Sequence, residues 1–213
     1  MLSPNREDIE DRKPFGLSRL EGTALKQQYE ANSTDIAAAV EGDSPEVAKF
    51  RSVLANTVLE EAALVEVFDA DQDGWDKDAF HSCVKDRGAA VVVACTKGGS
   101  LLGGYNPFGW EGYGDQLDTR AAFLFTWPDG NLEKPAIKLP KVGGPGLAVI
   151  DDPDRGPKFG AEGLSIPLQP RDSPRAVQCR LGTFYHKMPD GSRSLFPEGS
   201  ATELVQLKVY VAT

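Results

Sequence analysis

The run Ala89-Ala90-Val91-Val92-Val93-Ala94-Cys95, the turn Gly98-Gly99 and the return Leu101-Leu102-Gly103-Gly104-Tyr105 restrict the fold more than any other stretch of the chain. The first part is continuous, apolar and β-branched at its centre, so it predicts a strand, with a tight glycine turn leading into a second strand. Gly103 and Gly104 mark a bulge or a close backbone approach. The segment that follows, Asn106-Pro107-Phe108-Gly109-Trp110, predicts a rigid turn and an aromatic that covers the open end of the sheet.

A hairpin of this kind needs a core around it, and 213 residues that are 40% hydrophobic supply one ordinary globular domain with a short extension. Acids outnumber bases by 32 to 23, a formal charge of −9, with no basic patch visible in the sequence. Such a balance repels phosphate backbones and anionic bilayers, so neither nucleic-acid binding nor membrane insertion is expected. No apolar run approaches the roughly 18 residues of a membrane span. The first residues, with Glu7, Asp8, Glu10 and Asp11, lack the basic start and apolar middle of a signal peptide. Cys83, Cys95 and Cys179 form no CxxC pair and no even framework, which fits a reducing compartment and a soluble, cytoplasmic protein. In that setting the sequon Asn32-Ser33-Thr34 carries no meaning.

Residues 1–43 mix charges with scattered apolar positions and read as a partly helical N-terminal extension, with a helix over Leu17 to Tyr29. Residues 44–213 read as the domain. Ser44 offers an N-cap, Pro45 a first helical position and Glu46 an early acid, and Val47, Phe50, Val53, Leu54, Val58 and Ala62 recur at helical spacing. A second helix is expected over Asp76 to Asp86. Short β-rich pieces follow: Ala121 to Trp127, Gly146 to Ile150, Leu164 to Leu168, Ala176 to Arg180 and Leu204 to Val211. In the last, Val205, Leu207, Val209 and Val211 alternate with Gln206, Lys208 and Tyr210, the pattern of a half-buried strand. Helices first and strands afterwards predict an α+β class, a two-sheet antiparallel β-sandwich flanked by helices.

From Phe68 to Val211 the order of features resembles the TLDc domain of oxidation-resistance proteins. The resemblance rests on the Asp73-Gly74-Trp75 turn before a helix with Phe80, the hairpin ending Gly103-Gly104-Tyr105 with Trp110, and the strand Ala122-Phe123-Leu124-Phe125. It continues through Gly143-Gly144-Pro145-Gly146 before Leu147-Ala148-Val149, then Lys158-Phe159-Gly160, Cys179 with Gly182-Thr183-Phe184, and Leu207-Lys208-Val209-Tyr210. Two departures place the chain at a divergent edge of that family: Ala161-Glu162-Gly163 stands where an apolar-aromatic pair usually follows, and Pro107-Phe108 is inserted into the tryptophan loop. The resemblance implies a β-sandwich and a role in resistance to oxidative stress. It also implies a protein partner, the peripheral part of the vacuolar proton-pumping ATPase, and no established reaction or cofactor.

The residues themselves offer other chemistries. Asp69, Asp71, Asp73 and Gly74 match positions one, three, five and six of a calcium-binding EF-hand loop, but position twelve is Phe80 in place of the bidentate glutamate, and no second loop pairs with it. The alternative is an acidic turn that caps the next helix. A thiol mechanism would use Cys179, with Arg180 adjacent and His186 seven residues on, whereas Cys95 and Cys83 read as structural. Glu111 with Asp115, or Asp151 with Asp152 and Asp154, could perform acid-base work if one were buried beside another, but in loops rich in glycine and proline they read as solvated. No nucleophile elbow or phosphate-binding loop is present, and two histidines give no zinc spacing.

Tyr105, Phe108, Trp110 and Tyr113 form an aromatic group around the glycine loop, either a partner-binding hot spot or a lid on the end of the sandwich. Two functions from different classes follow. One is an interaction module for oxidative stress; the other is an enzyme whose site lies among Glu111, Cys179 and His186.

Overall fold

The computed structural model describes residues 21–143, 146–169 and 173–213. The first half of the expected extension and the Gly144-Pro145 part of the glycine turn lie outside these residues. Among those described, the helices are few and short, α1 (Gly22–Lys26), α2 (Pro45–Phe50), α3 (Ala70–Asp73) and α4 (Lys77–Val84), with a 3₁₀ turn over Arg51–Leu54. The strands are β1 (Leu64–Asp69), β2 (Ala90–Thr96), β3 (Leu101–Asn106), β4 (Gln116–Leu117), β5 (Phe123–Trp127), β6 (Ile137–Pro140), β7 (Val149–Ile150), β8 (Lys158–Phe159), β9 (Leu164–Ser165), β10 (Ala176–Cys179) and β11 (Ala201–Ala212). The class is α+β, dominated by antiparallel β-structure.

The strands follow one hydrogen-bonded path, β4-β7-β8-β9-β10-β11-β2-β3-β5-β6, with β1 also paired to β11. Where two separate sheets were expected, β11 belongs to both halves. Its first residues pair with β10, as in Ala176 opposite Glu203, and its last pair with β1, as in Val65 opposite Val211. Its other edge pairs with β2 from Leu204 to Val211. Core residues from β2, β3 and β5 meet those from β7 to β10 in one cluster that holds Val92, Leu102, Leu124, Val149, Phe159 and Val177. A second cluster covers the opposite face of β2, β3 and β5, where Val91, Tyr105 and Phe123 meet Phe50, Val53 and Leu54. The central strands are thus buried on both faces, which explains why β2 is continuously apolar instead of alternating.

Gly103 and Gly104 sit inside β3, not at its end, and both are close approaches. A Cβ on Gly103 would lie 2.0 Å from the Val92 carbonyl oxygen, and one on Gly104 would lie 2.6 Å from the Phe159 ring. Only glycine lets the two halves of the strand path come this near.

Ser44 caps α2 as expected, accepting a hydrogen bond from the Val47 amide at 3.2 Å. The helix is shorter than the apolar spacing out to Ala62 predicts. The helical turns stop at Leu54, since Ala55 leaves the helical region with a ψ of 136° and Asn56 takes a φ of +61°. What holds the rest is Arg51, whose buried guanidinium meets Asp43 and the carbonyls of Leu59, Glu60 and Ala62. The helix expected over Leu17 to Tyr29 is represented by α1 alone, and positions 17–20 lie outside the described residues. Residues 27–37 lie on the domain without helix. The Ala31 amide donates to the Arg120 carbonyl and the Ala37 amide to that of Ser52.

In β11 the expected alternation fails at two positions. A register shift between Leu204 and Gln206 leaves Val205 exposed and Leu204 buried, and Tyr210 is buried because Phe50 packs on its ring at 5.0 Å.

Candidate functional site

The tryptophan loop is organised by one carboxylate. Asp151 is buried, and its Oδ2 accepts the backbone amides of Glu111, Gly112 and Tyr113 at 3.0, 2.7 and 3.2 Å. Each such charge-assisted bond contributes on the order of 1.5–3 kcal/mol. This corrects the reading of Asp151 as a solvated loop acid; the glycines at 112 and 114 let the backbone curl so that successive amides point one way. Asp152 and Asp154 do lie near the surface, with Asp152 beside Arg155 and Asp154 facing Lys77. Asn106 fixes the other end of the loop. Its Nδ2 donates to the Gly109 carbonyl at 2.6 Å and its Oδ1 accepts the Phe108 amide at 3.0 Å, the rigid turn expected before Pro107.

The aromatic group divides. Trp110 is buried, with Phe80 and Phe159 edge-on to it at 5.5 and 5.9 Å, so it closes the end of the core and offers no contact surface. Tyr105 is buried in the other cluster, stacked on Phe123 at 5.3 Å. Phe108 is half-buried. Tyr113 alone is open, 70% exposed, with the Lys85 ammonium 5.9 Å from its ring. A hot spot made of all four rings is therefore ruled out by burial: two of them are core.

The acid and thiol candidates lie apart. Burial raises the Glu111 carboxyl above the ordinary range, and a hydrogen bond to the Asp86 side chain and the Asp151 charge act in the same direction. Its partner is Asp86 and not Asp115. Cys179 ends β10 beneath Ser194 and Leu195, and burial pushes its thiol up to about 12 despite hydrogen bonds from those residues. Arg180 does not lower it, because the guanidinium turns to Glu162 at 3.5 Å. His186 is exposed and lines a polar depression with Tyr29, Asn32, Asp35 and Lys141. No hydrogen bond among the described residues joins any two of Glu111, Cys179 and His186. Burial also raises the thiols of Cys83 and Cys95, and Cys95 is half-buried where the apolar run suggested core.

The three aspartates of the calcium pattern are drawn into local structure. Asp69 caps α3 through the Asp71 amide and pairs with Lys208 at 2.9 Å. Asp73 accepts the Asp69 amide at 2.8 Å, and Asp71 accepts the Trp75 indole and faces Arg175. A helical turn occupies Ala70–Asp73 where an EF-hand loop would present extended ligands, and no group of three or more His, Cys, Asp or Glu side chains among the described residues is placed to hold a metal ion. The acidic-turn reading accounts for the geometry: the Asp76 side chain caps α4 through the amides of Asp78 and Ala79.

The sequence reading missed a groove of about 810 Å³ beside β10, lined by Ile137, Met188, Leu195, Phe196 and Pro197 with Cys179 at its floor. Its walls come from loops whose only signal is a scatter of prolines and apolar residues. A basic pocket of about 490 Å³ adjoins it.

A family model described as TLDc domain matches residues 43–169, well over half of the chain. The chain belongs to the TLDc domain family. The match begins at Asp43, the partner of Arg51, so this TLDc domain includes the capped helix α2 and the buried ion pair behind it. It covers the glycine hairpin, the tryptophan loop and Asp151, which together fix the end of the TLDc core. No individual curated protein is similar enough to the chain to serve as a relative. No helix among the described residues is long and apolar enough to cross a membrane.

Proposed function

We propose that this TLDc chain is an interaction module that helps cells resist oxidative stress by docking on a larger protein assembly in the cytoplasm. The peripheral subunits of the vacuolar proton-pumping ATPase are the partner that family membership suggests. The observation that carries the proposal is the family match over residues 43–169. In this reading residues 44–213 are the docking unit, its two strand halves acting as the layers of a β-sandwich, and residues 1–43 are an N-terminal extension.

A reaction run by Glu111, Cys179 and His186 has less support. A thiol held up to about 12 stays protonated at neutral pH and is a poor nucleophile, and His186 lies in another depression, not beside Cys179. Affinity capture with the full chain as bait, read by mass spectrometry, tests the proposal. Recovery of peripheral proton-pump subunits above an unrelated acidic bait is expected. A folded bait that repeatedly returns none of them contradicts the named partner.

A further inference from the structure

We propose that the groove beside β10 and the basic pocket next to it form one binding site for an extended segment of a protein partner, in which apolar residues are followed by acidic ones. The proposal rests on the interaction-module reading and names the chemistry of what the module captures. The two depressions share Cys179, Arg180 and Ser200, so they run into one another around the end of β10. At about 810 and 490 Å³ they together exceed the roughly 300–1,000 Å³ that holds one drug-sized ligand, which favours a run of several residues over a small molecule.

The lining changes character along that path. Ile137, Met188, Leu195, Phe196 and Pro197 make the first part apolar, and methionine adapts readily to different apolar side chains. The second part carries Arg155, Lys158 and Arg180 with one acid, Glu162, in its lining; Arg155 is paired to Asp152 and Arg180 to Glu162, so Lys158 is the cation in excess. In a chain where acids outnumber bases by 32 to 23, that local reversal of sign selects a negatively charged occupant. Two cations there are uncommitted. Lys158 has no acidic partner among the described residues, and Arg193, which lines the apolar groove together with Asp190, donates its Nε–H to the Leu181 carbonyl at 3.0 Å and makes no ion pair among the described residues. The floor is held firm, because β10 is paired on both sides, to β9 and to β11. A preformed site of this kind loses little entropy when a peptide enters it.

The test is selection of a random-peptide display library against the full chain, followed by fluorescence anisotropy of the selected peptides. Enrichment of apolar residues adjoining two or more acids is expected. So is a loss of affinity of about tenfold or more in a Lys158→Glu, Arg193→Glu variant, and weaker binding as salt rises. Thermal unfolding confirms that the variant is folded; if it is not, Lys158→Glu alone is read, since that side chain makes no internal bond among the described residues. The proposal is overturned if the selected peptides lack acids or if charge reversal changes affinity by less than about twofold. It is also overturned if dodecanoate binds the groove while no apolar-acidic peptide is selected. Capture of proton-pump subunits that survives the charge reversal sinks the groove and leaves the module reading intact. Peptide binding as expected, with no pump subunits captured, sinks only the named partner.

Discussion

Replacing Arg51 with methionine should destabilise this domain more than any exposed charge change can. The guanidinium is 2% exposed and its partner Asp43 8% exposed. Asp43 takes Nε and Nη2 at 2.7 and 2.5 Å, and the carbonyls of Leu59, Glu60 and Ala62 take the remaining donors at 2.7, 3.3 and 3.0 Å. Methionine fills much of the volume but leaves a buried carboxylate and three carbonyls without their donor. Breaking a buried pair in this way costs about 3–5 kcal/mol, against at most ~1 kcal/mol for a surface pair. At the size of this chain that is a fall in melting temperature on the order of 10 °C. Urea unfolding of Arg51→Met, Asp43→Leu and the double variant measures it. The double variant should fall short of the two single losses added together by about 0.5–3 kcal/mol, because the stranded charge is gone. A single-variant loss below ~1 kcal/mol, or a double variant as unstable as the two losses added, would refute the reasoning.

Trp110→Ala should cost about 3–5 kcal/mol in urea unfolding, because the indole fills the space between Phe80 and Phe159; a stability change below ~1 kcal/mol would return Trp110 to the surface. Gly104→Ala should cost about 1–3 kcal/mol, since the new methyl must displace the Phe159 ring. Lys138 is buried against the Phe123 ring, and burial lowers its amine to about 8. Its unfolded-state value is higher, so the unfolded chain holds the extra proton between the two, and stability contributed by this group rises with pH from about 8 to 10.5. Lys138→Met should therefore raise stability at pH 7 and remove that upward slope from the difference between the two unfolding curves. Cys179 should resist a thiol-specific reagent at pH 8 in the folded chain and react on addition of urea, with Cys179→Ser identifying its share; immediate labelling in the native state would contradict its burial.

Local signals in the sequence were strong where one residue type does one job. Ser44 before Pro45, Asp76 before α4 and the glycine turn of the β2–β3 hairpin all appear where the sequence places them. What the sequence concealed depends on distant partners. No local signal marks β1 between the helical spacing that ends at Ala62 and the calcium pattern that starts at Asp69, because its pairing to β11 is made across some 145 residues. Asp151 looked like any loop acid, since nothing nearby in sequence reveals the three amides it accepts from residues 111–113. Trp110 and Tyr105 looked like one aromatic patch, yet they face opposite core clusters because successive strands and loops present side chains to both covered faces of the sheet. The groove was invisible for the same reason: its apolar wall and its cations come from several separate segments.

The claim that this TLDc chain protects by docking and not by a reaction of its own is tested most directly by survival under peroxide. Cells that depend on the chain would carry either the wild type or a Glu111→Gln, Cys179→Ser, His186→Ala variant at matched abundance and melting temperature. Equal survival of the two is the predicted result. Loss of protection in the folded variant, with capture of its protein partners unchanged, would contradict the account and place a reaction at those residues.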